Sequence, residues 1–353
     1  MASADINFHE LARQIKSWSK QLGFQQLGIC DTDLGEAEQH LQSWLKKQMH
    51  GEMHYMQKHG IKRSRPAELV AHTSRIISVR MDYFPPQSIP IEKLLKDPEQ
   101  AFISRYALGR DYHKVLRKRL KRLAEKIVTH IGPYNYRVFT DSAPVMEKAI
   151  AEKSGLGWIG KHSNVINSDA GSWFFLGEIY TDLPLPIDQK SDNHCGSCQA
   201  CLDICPTQAI IAPYQVDSRR CISYLTIELE GVIPVEYRAK MGSRIYGCDD
   251  CQWVCPWNKF SHDTLEKDFF TRHHLDNQSL IKLFQWDEAT FLQKTEGSAI
   301  RRIGYRRWLR NIAVALGNAP TNPEVIRVLD AKKTYDDLIV REHVSWALER
   351  HIA

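Results

Sequence analysis

The chain has little that would place it in a membrane or send it across one. Across its 353 residues no apolar run approaches the roughly 20 residues that a spanning helix needs. The first ten residues, Met1 to Glu10, are polar and acidic rather than basic and then apolar, so no export signal is legible and a cytoplasmic setting is expected. Low-complexity segments and long linkers are missing. Charge of either sign is not in large excess: 47 Lys and Arg against 42 Asp and Glu leave a formal +5, so the placing of basic residues says more than their sum. Cysteine is almost absent outside one stretch. Of nine cysteines only Cys30 lies elsewhere, after Leu27-Gly28-Ile29, where it reads as an inert buried thiol. Without a secretory start, a disulfide framework is excluded and a reducing compartment fits.

What is present is concentrated in Cys195 to Pro256. The stretch opens with Cys195-x2-Cys198-x2-Cys201-x3-Cys205-Pro206 and closes with Cys248-x2-Cys251-x3-Cys255-Pro256, with Cys221 between. The first run has the ferredoxin spacing for [4Fe–4S] ligation, in which the last cysteine of a run serves the other cluster. Applied here, one cluster takes Cys195, Cys198, Cys201 and Cys255, and the other takes Cys205, Cys221, Cys248 and Cys251, leaving no ligand over. Each proline follows the crossing cysteine, where the chain turns away and needs no backbone donor. Paired C-x2-C is also zinc spacing, but three cysteines at that interval followed by Cys-Pro favour iron–sulfur.

Around this stretch the chain is large enough for two or three domains. Helical spacing of Leu11, Ile15, Trp18 and Leu22, a strand over Phe24 to Cys30, a helix through Leu41, Trp44 and Leu45, and strands at Arg75 to Tyr83, Tyr136 to Thr140 and Ser172 to Thr181 predict a layered domain of mixed α/β or α+β class over residues 1–185. Residues 186–260 form the expected ferredoxin-like domain. From about 276 to 353 the pattern is helical, and paired short helices suggest a short HEAT-like repeat packed on the cluster domain.

Several side chains invite two readings. A basic helix carries Lys114, Arg117, Lys118, Arg119, Lys121 and Arg122, and a second basic block holds Arg301, Arg302, Arg306, Arg307 and Arg310. One such helix is as readily a solvated face as a nucleic-acid contact. Two blocks, one beside a helical array, favour nucleic acid, read by backbone and shape because no aromatic-interleaved RNA motif is present. Asp141, at the end of a strand, is either a proton donor at a cleft or, with Ser142, the cap of a helix starting near Pro144. Asp111, Tyr112 and His113 offer acid, phenol and imidazole in consecutive positions that point different ways, or simply start a helix capped by Asp111. Gly155, Gly157 and Gly160 match G-x-G-x-x-G in letters but follow a helix, the wrong context for a dinucleotide. They leave open a backbone approached by a flat cofactor. No Asp-x-His-x-x-Gly run indicates a corrinoid held by a protein histidine.

Taken together the motifs resemble the epoxyqueuosine reductases, iron–sulfur and cobalamin enzymes of tRNA modification. The resemblance covers nearly the whole chain. It runs through Arg63 with Pro66, Ser104 to His113, Phe139-Thr140-Asp141-Ser142, Ala149 to Lys161, both cysteine runs, Arg220 to Tyr224, Arg244 to Gln252, and Arg310-Asn311 with Ala315 to Asn318. It implies an N-terminal domain similar to that of reductive dehalogenases, holding cobalamin base-off. It implies reduction of the epoxide of epoxyqueuosine at the tRNA wobble position to queuosine. Electrons would come from an external low-potential donor through the two clusters. Asp141 matches the family's proton donor, here a carboxylic acid held neutral beside an apolar corrin. Tyr112 and His113 would line the pocket, with Arg63, Lys161, Ser163 and Asn164 contacting corrin amides or substrate. A tRNA in an open cleft implies a monomer, and a tail shorter than in some members implies fewer contacts to the anticodon stem. A corrinoid reductive dehalogenase would carry a twin-arginine signal and have no use for the arginine-rich tail. A pure two-cluster electron carrier would not need the upstream domain.

Overall fold

The computed structural model describes residues 6–352; Met1 to Asp5, part of the polar N-terminal stretch, and Ala353 lie outside it. Its N-terminal layer is one four-stranded sheet. In spatial order the strands are Gln26–Cys30, Arg75–Asp82, Phe174–Thr181 and Tyr136–Phe139, and every ladder is antiparallel. The alternation of helices and strands expected from sequence is there, but the antiparallel pairing makes this an α+β layer. Strand ends are trimmed: Phe24 and Gln25 precede the first ladder.

Period-2 alternation gives each strand two faces. One face packs Ile77, Val79, Phe175 and Ile179 against helices Phe8–Gln21 and Tyr112–Ile131, which contribute Leu11, Ile15, Leu116, Leu120, Leu123 and Ile127. The opposite face packs Ile76, Phe139 and Tyr180 against the short helix Glu147–Lys153, which covers Cys30. Burial pushes the Cys30 thiol up to about 11, as an inert core cysteine requires.

A second core forms from helices Leu280–Phe284, Gly304–Asn318, Pro323–Asp330 and Leu338–Ile352. It takes in Ala101, Ile103, Ala107 and Leu108 from the N-terminal third, and Ile245 and Tyr246 from the cysteine-rich segment. A two-residue strand, Phe102–Ile103, pairs in parallel with Arg244–Tyr246. Packing therefore cuts across a linear division at 185 and 260.

The same joint explains most of the motif around Arg310. Arg310 is 0% exposed. Its guanidinium donates to the carbonyls of Leu225, Leu229 and Gly231, and Asn311 donates to those of Thr226 and Ile245. Asn318 reaches the carbonyls of Arg238 and Gly242. These side chains rivet the helix Gly304–Asn318 to the segment from Leu225 to Ile245, which follows Cys221 and precedes the second cysteine run. Arg310 thus leaves the expected nucleic-acid block, because a guanidinium buried and saturated by carbonyls cannot reach a phosphate. Arg307 is similarly occupied by the carbonyls of Ile303, Ile227 and Arg302. Arg119 leaves the other block: it bonds Leu22 and Glu266, while Lys114, Arg117, Lys118, Lys121 and Arg122 stay exposed.

Candidate active site and cluster cavities

The helix after Asp141 starts at Glu147, and Met146 before it provides no side-chain cap. The capping reading of Asp141 and Ser142 therefore fails, since Asp141 lies in the turn well before the first helical residue. Its carboxylate instead meets the start of the long helix Tyr112–Ile131. Tyr112 donates its hydroxyl to Oδ2 and His113 Nε2 faces Oδ1. His113 Nδ1 lies 2.6 Å from Asp111 Oδ1, and the same oxygen accepts the His113 backbone N–H at 3.1 Å, so Asp111 both caps the helix and orients the ring. The Tyr112 ring stacks on His113 at 4.1 Å between centroids and on Phe175 at 4.0 Å. Tyr112 and His113, expected to point apart, are thus drawn to one carboxylate, with Asp111 behind the imidazole, because Asp141 sits in the turn after the neighbouring strand.

The electrostatics follow. Burial works against a charged His113, but hydrogen bonds to Asp111 and Asp141 outweigh it and raise the ring to about 9. Burial drives the Tyr112 hydroxyl well above the ordinary phenol range, with Asp141 adding to it. At neutral pH the His113 ring therefore carries a proton beside Asp141.

Two further acids escaped the sequence reading. Glu147 is half-buried by surface but its carboxyl is packed among other groups. Glu178 is 0% exposed, with neither carboxylate oxygen bonded. Burial raises both, the charge of Asp141 raises each further, and Glu147 adds to Glu178. Glu178 had a signal in sequence: it is the one acid in the apolar strand Phe174–Thr181. Ser78, directly opposite Glu178 in the ladder, and Tyr180 share its face, and their hydroxyls are also unpartnered. Such orphaned buried polar atoms fit a ligand rimmed with amides better than a dry core. Beside the Asp141 network opens a cavity of about 230 Å³, lined by Tyr106, Tyr112, His113, Tyr246, Arg301 and Arg302 among others.

The eight cysteines gather in two groups. Cys195, Cys198, Cys201 and Cys255 line one cavity of about 340 Å³ with His162, His194, Trp257 and Lys259. Cys251 feels Cys221 and Cys205, and Cys248 feels Cys251, which makes the second group. The first group is nearer the surface, with Cys198 exposed. Arg244 clasps Asp250 through two bonds of 2.8 and 2.6 Å, while Asp249 accepts Ser104 Oγ at 2.5 Å and the Arg105 N–H at 2.8 Å. The second cysteine run is thereby fixed to the segment that leads into the Asp141 network. Gly247 makes this possible: its φ is +70°, and a Cβ there would sit 2.6 Å from Ser104 Cβ.

Other expected contacts fall elsewhere. Lys161 is buried and donates to the carbonyls of Gly196 and Cys198 at 2.7 and 2.8 Å, holding the first cysteine loop. It belongs to the cluster cavity and not beside Asp141. Arg63 spends two donors on the carbonyls of Met56 and Tyr55. Ser163 O and Asn164 Oδ1 both accept Lys148 Nζ at 3.0 Å, one residue from Glu147. The glycine run serves the chain itself: a Cβ on Gly155 would strike the Gln189 carbonyl, and one on Gly157 the Ile166 carbonyl.

Comparison with known proteins gives the family. A family model described as a 4Fe-4S double cluster binding domain matches residues 194–258, and one described as epoxyqueuosine reductase QueG matches residues 63–142. The epoxyqueuosine reductase of Pseudomonas aeruginosa is 59% identical over 342 residues, 97% of this chain and 94% of that protein. The chain belongs to the epoxyqueuosine reductases. The family member of Escherichia coli is 56% identical over 350 residues, covering 99% of this chain and 92% of its own. The solved epoxyqueuosine reductase of Bacillus subtilis, in a form with a catalytic aspartate loop swung out of the active site, superposes with a TM-score of 0.88 at 25% identity, covering 98% of this chain and 91% of that one. Membership makes the protein an oxidoreductase and its cysteine segment a double [4Fe–4S] domain.

Proposed function

We propose that the protein reduces the epoxide of epoxyqueuosine in tRNA to give queuosine, with Asp141 as the group that delivers protons to the departing oxygen. The observation that carries the reading is the convergence of Tyr112 and His113 on Asp141, in the turn after the edge strand Tyr136–Phe139, while Asp249 ties the segment that leads to Tyr112 to the second cysteine run. Support comes from the family's name and from a family structure solved with an epoxyqueuosine-modified tRNA stem loop, whose 23% identity speaks for the fold alone.

In this reading residues 1–185 form the catalytic domain, related to that of reductive dehalogenases, and residues 186–260 the ferredoxin-like one. The helices of 276–353 form a HEAT-like tRNA-binding region. Cys195, Cys198, Cys201 and Cys255 hold the outer cluster; Cys205, Cys221, Cys248 and Cys251 hold the inner one. The clusters supply a one-electron path from an external low-potential donor towards the catalytic domain. Cobalamin, when bound, supplies a low-valent cobalt able to drive electrons into the strained epoxide. The unpartnered hydroxyls of Ser78 and Tyr180, the Glu178 carboxylate and the half-buried Glu147 would meet its amide rim, with Ser163 and Asn164 alongside.

The protein's own part is to orient and to protonate. Phe175 and Tyr112 form a flat apolar wall, Asp111 fixes the His113 ring, and both oxygens of Asp141 are held by donors until substrate enters. Arg301, Arg302 and the exposed lysines of the Tyr112–Ile131 helix offer positive charge to a tRNA backbone. A monomer acting on cytoplasmic tRNA fits this open edge, and among the described residues no helix is long and apolar enough to cross a membrane.

The test is anaerobic reconstitution with iron, sulfide, cobalamin and a low-potential reductant, followed by nucleoside analysis of epoxyqueuosine-containing tRNA. Conversion to queuosine is expected. A protein that carries both clusters and cobalamin yet leaves the epoxide intact would overturn the reading.

A further inference from the structure

Removing an epoxide oxygen as water while restoring a carbon–carbon double bond consumes two electrons and two protons. Both C–O bonds break, one double bond forms, and both protons end in the water. Asp141 can carry only one proton at a time, and it is the one carboxyl group placed at the end of this network. A second proton must be kept within reach. Resting on the function proposed above, we infer that His113 is a proton-holding positioning residue: it keeps the second proton on its ring between Asp111 and Asp141 and returns it to Asp141 after the first C–O bond has opened.

The geometry supports each part. His113 is clamped at both nitrogens, by Asp111 at Nδ1 and by Asp141 at Nε2, so the ring cannot turn away and a proton moves along a preset line. Stacking on Tyr112 fixes the ring plane. Asp111 is itself fixed, because the His113 N–H binds the same oxygen. The groups around the ring also matter. Glu147, from the helix beneath, adds negative charge, as do the two aspartates; Lys114 on the same helix, and Arg301 and Arg302 across the cavity, oppose it; Tyr106 and Tyr246 close the far wall without charge. The aspartates are in contact and the cations are not, so the balance holds the ring protonated, up to about 9. Tyr112 is no substitute store, since its hydroxyl is pushed far above the range in which it gives up a proton.

Two measurements test this. Histidine ¹⁵N NMR of the full chain without cobalamin or tRNA, assigned with His113→Gln, should show one ring titrating near 9. Replacing Asp111 with Asn should move that ring down by at least one unit, with iron content and melting temperature held as controls on folding. A His113 ring titrating near the usual 6.5 would overturn the inference. In the cluster- and cobalamin-loaded enzyme, kcat should fall as pH rises through about 9, tracking the ring. His113→Gln should lower kcat about 100-fold or more, leave KM for tRNA unchanged and abolish that alkaline limb. A His113→Gln enzyme with the wild-type limb would refute the role while leaving epoxide reduction itself intact. Failure of wild-type enzyme to convert the epoxide would instead strike the function.

Discussion

At the level of single residues the structure separates side chains that do chemistry from those that hold the site together, and the two kinds answer to different measurements. Arg310 belongs to the second kind. Replacing it with Met leaves the carbonyls of Leu225, Leu229 and Gly231 without their donor inside the protein, a loss of about 3 kcal/mol or more. Urea unfolding should show that loss, while the salt dependence of tRNA binding in the surviving folded fraction stays as in wild type. Gly247→Ala puts a Cβ against Ser104 at a left-handed φ and should cost about 1–3 kcal/mol. Because the same turn carries Cys248, iron content should fall with it. The sequence could show that Arg310, Asn311 and Gly247 recur in a motif, but not that the motif is a joint. For the two C-terminal residues that information lies in carbonyls 66 to 85 residues away. Asp141 suffered the opposite ambiguity: strand, turn and proline look alike for a cap and for a catalytic acid until the helix start is located at Glu147.

Among the elements, the strand Phe174–Thr181 and the helix Tyr112–Ile131 decide what the site can be. The strand carries Glu178 into the core beside Glu147, both with carboxyls raised by burial. A carboxyl whose folded value is raised above its unfolded value of about 4.5 leaves stability intact below that pH and erodes it as pH climbs towards the folded value. Glu178→Gln should therefore raise the melting temperature of the cobalamin-free protein at pH 8 and change it little at pH 4.5; an equal effect at both would show that ionisation is not involved. The helix presents an apolar stripe that was plain from its 3.6-residue period and a basic face that was not resolvable into roles. Arg119 is tied to Glu266, while Lys118 is exposed to solvent and Lys121 is exposed with Glu125 beside it. Charge reversal at Lys118 should weaken tRNA binding and lower its salt slope by about one, whereas reversal at Arg119 should appear first as lost stability.

For the molecule as a whole, the cysteine spacing carried more than any other feature, because ligand geometry is local and the runs are short. The spacing divides the eight cysteines into two sets of four; in the structure Cys255 lines a cavity with the first run, and Cys251 lies within electrostatic reach of Cys221 and Cys205. The layered N-terminal domain was legible as alternating elements, while its antiparallel order was not, since pairing is fixed by contacts between distant strands. The use of residues 101–108 in the C-terminal core was equally hidden. Ligation crossed between the runs predicts that Cys255→Ser and Cys205→Ser each lose one cluster, and not the same one. Electron paramagnetic resonance of the two reduced variants should show different surviving signals, and identical signals would mean that each run serves its own cluster.

The central claim is that protons reach the epoxide through Asp141. It is tested most directly by Asp141→Asn, reconstituted with both clusters and cobalamin and followed through a single turnover on epoxyqueuosine-containing tRNA. The account predicts cluster and cobalamin absorbance like the wild type, unchanged tRNA affinity and a rate lower by about 10²–10⁴-fold. Queuosine formed at the wild-type rate by that variant would contradict it.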